Sequence, residues 1–105
     1  MSLSIDPSAG VVLVVFTMKG CPACSEFKPR LERMLRKHPP GFPVYILDES
    51  EHPGEANRLG AKAMPSMHLL RRPEGAITVT GSVPDSQIEW LLGVGEREQR
   101  RWRGY

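Results

Sequence analysis

The sequence predicts an α/β domain, a four-stranded mixed sheet in the order β-α-β-(α)-β-β-α flanked by helices. Three observations carry that expectation. Val11-Val-Leu-Val-Val-Phe16 is an unbroken apolar, mostly β-branched run, as expected of a strand buried on both faces of a sheet. The pattern then switches to helical spacing, with Phe27, Leu31, Met34 and Leu35 on one face. Further along, Met67–Leu70 and Ile77–Thr80 are short strand patterns separated by a turn, which reads as a hairpin.

Each element has a local reason. Thr17 to Gly20 bends the chain out of the first strand into Cys21. Pro22 suits the first turn of the following helix, where its missing N–H costs nothing. Pro29 falls in an interior turn and predicts a kink. His38-Pro-Pro-Gly41 stops the helix. Val44–Leu47 is a second strand as apolar as the first; joined to it through a helix, it should run parallel. Asp48 to Ala63 is a polar connection in which Pro53 is expected to start a short helix and Gly60 to close it. Ser82-Val-Pro-Asp85 reads as a capping box ahead of a last helix, with Ile88, Leu91 and Leu92 on one face and Gly93 at its end.

The chain has 105 residues, 40% hydrophobic and 25% charged, which leaves room for one core and no second catalytic domain. Residues 1–94 are expected to form that domain and residues 95–105 a basic tail. Formal net charge is +2, and Glu96–Tyr105 holds four arginines against two glutamates, so the bias belongs to the tail. Trp102 and Tyr105 among arginines is a pattern able to contact nucleic acid or an acidic partner. Four arginines are a small electrostatic footprint, however, and a solvated extension without a nucleic-acid partner is the expectation. Val11–Phe16 is far too short to span a bilayer. Met1–Gly10 carries no Lys or Arg and so lacks the basic start of a signal peptide. The chain reads as a soluble, monomeric, cytoplasmic protein without a membrane partner.

Two cysteines are present, Cys21 and Cys24. A disulfide between them closes too small a loop to hold a fold together, so the pair reads as chemical rather than structural. Disulfide exchange needs a nucleophilic thiolate and a second thiol to resolve the mixed disulfide. A cysteine opening a helix has its thiolate stabilised by unpaired N–H groups and the helix dipole, which suits Cys21 as nucleophile. Lys19 adds positive charge nearby. Cys24, one turn inward, is expected to be more buried and to act as the resolving thiol. Half of a zinc site is the competing reading, but zinc takes four ligands, and His38, His52 and His68 lie on different elements without ligand spacing. No metal and no cofactor beyond a Cys21–Cys24 disulfide are expected. His68, in a strand, is read as structural; Met18, Met64 and Met67 are candidates to line a soft groove near the cysteines.

With Cys21-Pro-Ala-Cys24 at a strand–helix junction, the sequence resembles the thioredoxin superfamily. Pro29 stands five residues after the second cysteine, where thioredoxins carry a kinking proline. Asp48, His52-Pro-Gly54, Gly60 and Met64-Pro-Ser66 match the family's central segment, and Gly81 matches its later glycine. The likeness spans Val11 to Gly93. It implies a minimal thioredoxin fold, a cis-proline at Pro65, and a substrate-binding surface made of Lys19, Gly20, Pro22, Ala23, Met64, Pro65 and Gly81. There are departures. Gly20 replaces the family's tryptophan, Pro22-Ala23 replaces Gly-Pro, and Val15 replaces a buried aspartate, so the proton of Cys24 falls to Lys19, Asp48, Glu26 or water. Lys19-Gly20 and the first proline are similar to glutaredoxins, yet Gly81-Ser82 and Asp85 make a poor glutathione site.

The resemblance implies a dithiol–disulfide oxidoreductase that reduces protein disulfides, ribonucleotide reductase among them, with a flavoprotein disulfide reductase as electron donor. A glutathione-coupled glutaredoxin and a non-catalytic binding module on the same fold are the alternatives.

Overall fold

The computed structural model describes residues 10–72 and 74–103, the last by its backbone alone. The elements are β1 (Val11–Thr17), α1 (Pro22–Lys37), β2 (Val44–Asp48), a 3-10 turn (Glu49–Glu51), α2 (Glu55–Arg58), β3 (Ser66–Arg71), β4 (Gly75–Thr80) and α3 (Asp85–Arg103). The sheet order is β2-β1-β3-β4. β1 pairs parallel with β2 and antiparallel with β3, and β3 pairs antiparallel with β4. This is the mixed sheet expected from the sequence. None of the helices described is long and apolar enough to cross a membrane.

β1 is central, and its alternating side chains feed two cores. Val11, Leu13 and Val15 pack with Phe27, Leu31, Met34, Met67, Leu69, Ile88 and Leu91 beneath α1 and α3. Val12, Val14 and Phe16 pack on the opposite face with Ala56 and Ala61. Removing each large β1 side chain from water contributes about 1.5–3 kcal/mol, which anchors the end of β1 where the cysteines follow. β2 differs from expectation. Apolar like β1, it is half-buried throughout, because it is an edge strand with one neighbour.

Three helix boundaries depart from the sequence reading. Pro53 does not start a helix. The Asp48 carboxylate accepts the Ser50 N–H at 2.8 Å and opens the 3-10 turn first, and Gly54, at φ +81°, turns the chain into α2. At the C-terminal end, Gly93 does not stop α3, and the boundary expected between residues 94 and 95 falls inside a continuous helix. The reason is tertiary. Glu96 Oε1 accepts the Gly41 N–H at 2.5 Å, Glu98 pairs with Arg71 at 3.8 Å, and the Trp102 ring lies against the backbone of Gly10. Residues 95–103 are therefore docked helix rather than a solvated tail; Tyr105 lies outside the described residues.

Ser82 does not cap α3 either, since the helix begins at Asp85, with the Pro84 carbonyl accepting the Gln87 N–H at 3.0 Å. The Ser82 hydroxyl instead donates to Glu26 of α1 and accepts from Arg30 at 3.0 Å. Arg30 also pairs with Asp85 at 2.7 Å, so this polar cluster ties α1 to the start of α3. α1 runs through Pro29, which sits on its exposed face, where water can take up the carbonyl left without a donor.

Candidate active site

The site forms where β1 ends. Gly20 adopts φ +74°, a left-handed conformation that costs other residues, and this turn delivers Cys21 to the N-cap of α1. Cys21 is extended at φ −100° and ψ 107°, with Pro22 opening the first helical turn as expected. The Cys24 N–H donates to Cys21 Sγ at 3.2 Å, and the Ser25 N–H donates to the Cys21 carbonyl at 3.0 Å. One sulfur is thus both a reactive atom and a helix cap. No acidic residue lies in the first turn, so nothing there opposes an anion on that sulfur.

Cys21 and Cys24 form a disulfide with Cα atoms 5.2 Å apart. They differ in access: Cys21 is half-buried, whereas Cys24 is 3% exposed. The Met64–Pro65 bond is cis, and the Met64 carbonyl oxygen lies 3.9 Å from Cys21 Sγ. The Pro65 carbonyl in turn accepts the Gly81 N–H at 2.8 Å, which binds the loop after β4 to the same segment. Three separate stretches therefore converge, namely the cysteine turn, Met64–Pro65 and Gly81. Lys19, Gly20 and Pro22 are exposed beside them and Ala23 is half-buried. Of the candidate methionines, Met67 belongs to the core at 1% exposure, while Met18 is 43% exposed near Cys24.

A cavity of about 240 Å³ adjoins Cys24, lined by Thr17, Met18, Lys19, Ser25, Lys28 and Asp48. Thr17 and Asp48 are paired across β1 and β2, which brings Asp48 to this end of the sheet. The Asp48 carboxyl is held below its ordinary range, first by the Ser50 hydroxyl and backbone N–H, then by the charges of Lys19 and Lys28. Lys28 was not a sequence candidate. Its signal was its place four residues after Cys24, on the same face of α1. Glu26, by contrast, is committed elsewhere. Its carboxyl is lowered to about 2 by hydrogen bonds from Arg30 and then Ser82. Ser82 and Asp85 are likewise taken up with Glu26 and Arg30. Among the described residues no group of three or more His, Cys, Asp and Glu is placed to hold a metal ion.

A helix-capped cysteine pair, one sulfur accessible and one buried, is built for two-electron exchange between thiols and disulfides. Comparison with known proteins carries the same message. The thioredoxin family model matches residues 3–92. The chain is 27% identical over 78 residues to Thioredoxin M4, chloroplastic, of Arabidopsis thaliana, covering 74% of this chain and 40% of that longer protein. It is 26% identical over 91 residues to thioredoxin of Bacillus subtilis, covering 87% and 88% of the two. Among solved structures, chloroplastic thioredoxin z superposes with a TM-score of 0.65 at 24% identity, over 86% of this chain and 81% of that one. Mitochondrial thioredoxin 3 of Saccharomyces cerevisiae, in its oxidized form, gives 0.67 at 19% identity, over 83% and 80%. At those identities the structures speak for the fold alone. The chain belongs to the thioredoxin family and is a thiol–disulfide oxidoreductase.

Proposed function

We propose that the protein is a dithiol reductant of protein disulfides in a reducing, cytoplasmic compartment, with Cys21 as nucleophile and Cys24 as resolving thiol. The observation that carries this reading is the asymmetry of the pair. Cys21 Sγ receives a backbone N–H at 3.2 Å and is accessible, whereas Cys24 is buried behind it. In the proposed cycle the Cys21 thiolate attacks one sulfur of a substrate disulfide. That bond breaks, and the departing sulfur leaves as a thiolate that takes a proton. Cys24 then loses its proton and attacks Cys21 Sγ, which closes the Cys21–Cys24 disulfide and expels the second substrate sulfur. Two electrons pass from the protein to the substrate.

Met64 supports the docking step. Its carbonyl beside Cys21 offers a main-chain acceptor to an extended substrate strand, with Pro65 and Gly81 holding it in place. Lys19, Gly20, Pro22 and Ala23 form the rim on the other side. Ribonucleotide reductase is proposed among the substrates, and a flavoprotein disulfide reductase as the donor that restores the dithiol. The glutathione-coupled alternative is disfavoured by the engagement of Ser82 and Asp85 in the cluster with Arg30.

The test is insulin disulfide reduction driven by dithiothreitol, with wild type beside Cys21→Ser and Cys24→Ser. Turnover is expected from wild type alone. Mass spectrometry should find a mixed disulfide through Cys21 accumulating in Cys24→Ser. Equal behaviour of the three proteins would mean that the fold serves as a binding scaffold.

A further inference from the structure

Val15 is fully buried and apolar, so that position offers no carboxylate to the proton of Cys24 in the reduced protein. The charged groups near Cys24 lie instead around the cavity of about 240 Å³ at the end of the sheet. Three elements build its walls. β1 ends in Thr17 and is followed by Met18 and Lys19, β2 ends in Asp48, and α1 contributes Cys24, Ser25 and Lys28. The Thr17 hydroxyl donates to the Leu47 carbonyl at 3.4 Å and joins the first two walls. The segment before β3 brings Met64 to the cysteine pair, with a carbonyl and no charge. Glu26 is held by Arg30 and Ser82. The charged groups lining this cavity are therefore Lys19, Lys28 and Asp48.

We propose that Lys19, Lys28 and Asp48 control the ionisation of Cys24, and through it the rate at which the mixed disulfide is resolved. This rests on the reading of Cys24 as the resolving thiol. The two ammonium groups favour the thiolate, and Asp48 draws both lysines to the cavity while opposing part of their charge. Both lysines line the same cavity as Asp48, and after the Ser50 hydrogen bonds their charges help to hold its carboxyl low. The Asp48 carboxyl is held low by Ser50 and the two lysine charges, which makes it a weak proton acceptor, so its part is to position the lysines. The cavity has room for several water molecules at roughly 30 Å³ each. The S–H bond of Cys24 breaks, its proton passes to that water, the Cys24–Cys21 bond forms, and the Cys21–substrate bond breaks with the substrate sulfur leaving as a thiolate. An exposed lysine pair at the cysteine has a simpler role as an alternative, namely contact with the substrate surface. That role acts on the first attack and leaves the second step unchanged.

The experiment separates those steps. Fully reduced protein is mixed by stopped flow with excess dithiodipyridine, a neutral aromatic disulfide, over a range of pH. The first thiopyridone released reports attack by Cys21 and the second reports resolution by Cys24. In Lys28→Met and in Lys19→Met, the pH midpoint of the second phase should rise by roughly half to one unit. The second phase then becomes about three- to tenfold slower at neutral pH. In Asp48→Asn the midpoint should fall by a similar amount, and raised salt should shrink all three differences. A second-phase midpoint that stays put in both lysine variants overturns the proposal, as does movement of all three variants in one direction. Asp48 also caps the turn after β2, so if Asp48→Asn does not fold, the two lysine variants at exposed positions decide the matter. A second phase that persists in Cys24→Ser overturns the assignment of the resolving thiol instead, which keeps the two failures distinguishable.

Discussion

At the scale of single residues, the site depends on one turn, and the stability of the fold on one buried ring. Gly20 takes φ +74° with open space where a side chain would go, so replacement by alanine brings strain without collision. Gly20→Ala should cost about 1–2 kcal/mol of stability, readable as a lower urea midpoint with an unchanged slope. His68 is fully buried, edge-on to Phe16 with ring centroids 5.8 Å apart. The Thr78 hydroxyl donates to the Leu59 carbonyl at 2.9 Å, so it accepts from His68 Nδ1 at 3.0 Å; His68 Nε2 is left to accept from the Ser66 hydroxyl at 2.8 Å. This arrangement accommodates a neutral imidazole, and burial favours that form by lowering the pKa from 6.5. The unfolded chain then binds a proton at a pH where the folded one does not. Stability present above about pH 6.5 is therefore lost as pH falls below it, by up to about 1.4 kcal/mol per pH unit. Urea titrations at about pH 8 and about pH 5.5 check this, and His68→Gln should be less stable but lose that part of the pH dependence.

At the scale of elements, α3 carries two glycines with opposite roles. A Cβ on Gly93 would meet only the end of the Arg97 side chain, at 3.6 Å. A Cβ on Gly95 would lie 2.6 Å from the Phe42 ring and 3.2 Å from Leu69. Gly93→Ala should therefore stabilise by roughly 0.5–1 kcal/mol through helix propensity alone. Gly95→Ala should destabilise by about 1–3 kcal/mol despite the same propensity gain, because buried Phe42 must move. Thermal melts of the two variants side by side make the comparison, and equal shifts would refute the packing account. The Glu26–Arg30–Ser82–Asp85 cluster works at this scale as well. It fixes the loop after β4, and so Gly81 and the Pro65 carbonyl, against the helix that carries the cysteines.

At the scale of the whole molecule, the C-terminal half of α3 closes over the start of the sheet. Glu96 reaches the loop after α1, Glu98 reaches β3, and Trp102 covers Gly10 ahead of β1. Ending the chain after Val94 removes all three contacts at the end of β1 opposite the cysteines. Such a truncation should lose roughly 2–4 kcal/mol of stability, yet keep disulfide reduction at temperatures well below its melting point. An unchanged melting temperature would show that this half of the helix contributes nothing to the fold.

Much of this was legible in the sequence because it depends on near neighbours. The strand Val11–Phe16, the helix opened by Cys21 and Pro22 and the hairpin of the last two strands each follow from residue types in local register, whereas the cis bond at Pro65 was legible only through the family resemblance. Other features needed the folded chain. The continuation of α3 past Gly93 rests on Phe42, Gly41, Arg71 and Gly10, all distant in sequence. The partner of Ser82 is Glu26, and the half-burial of β2 follows from its place at the sheet edge. The gathering of Lys19, Lys28 and Asp48 beside Cys24 depends on the parallel register of β1 with β2. Local periodicity reports which backbone a segment prefers and which face it buries. Which distant side chain meets that face is settled by packing and charge across the folded molecule.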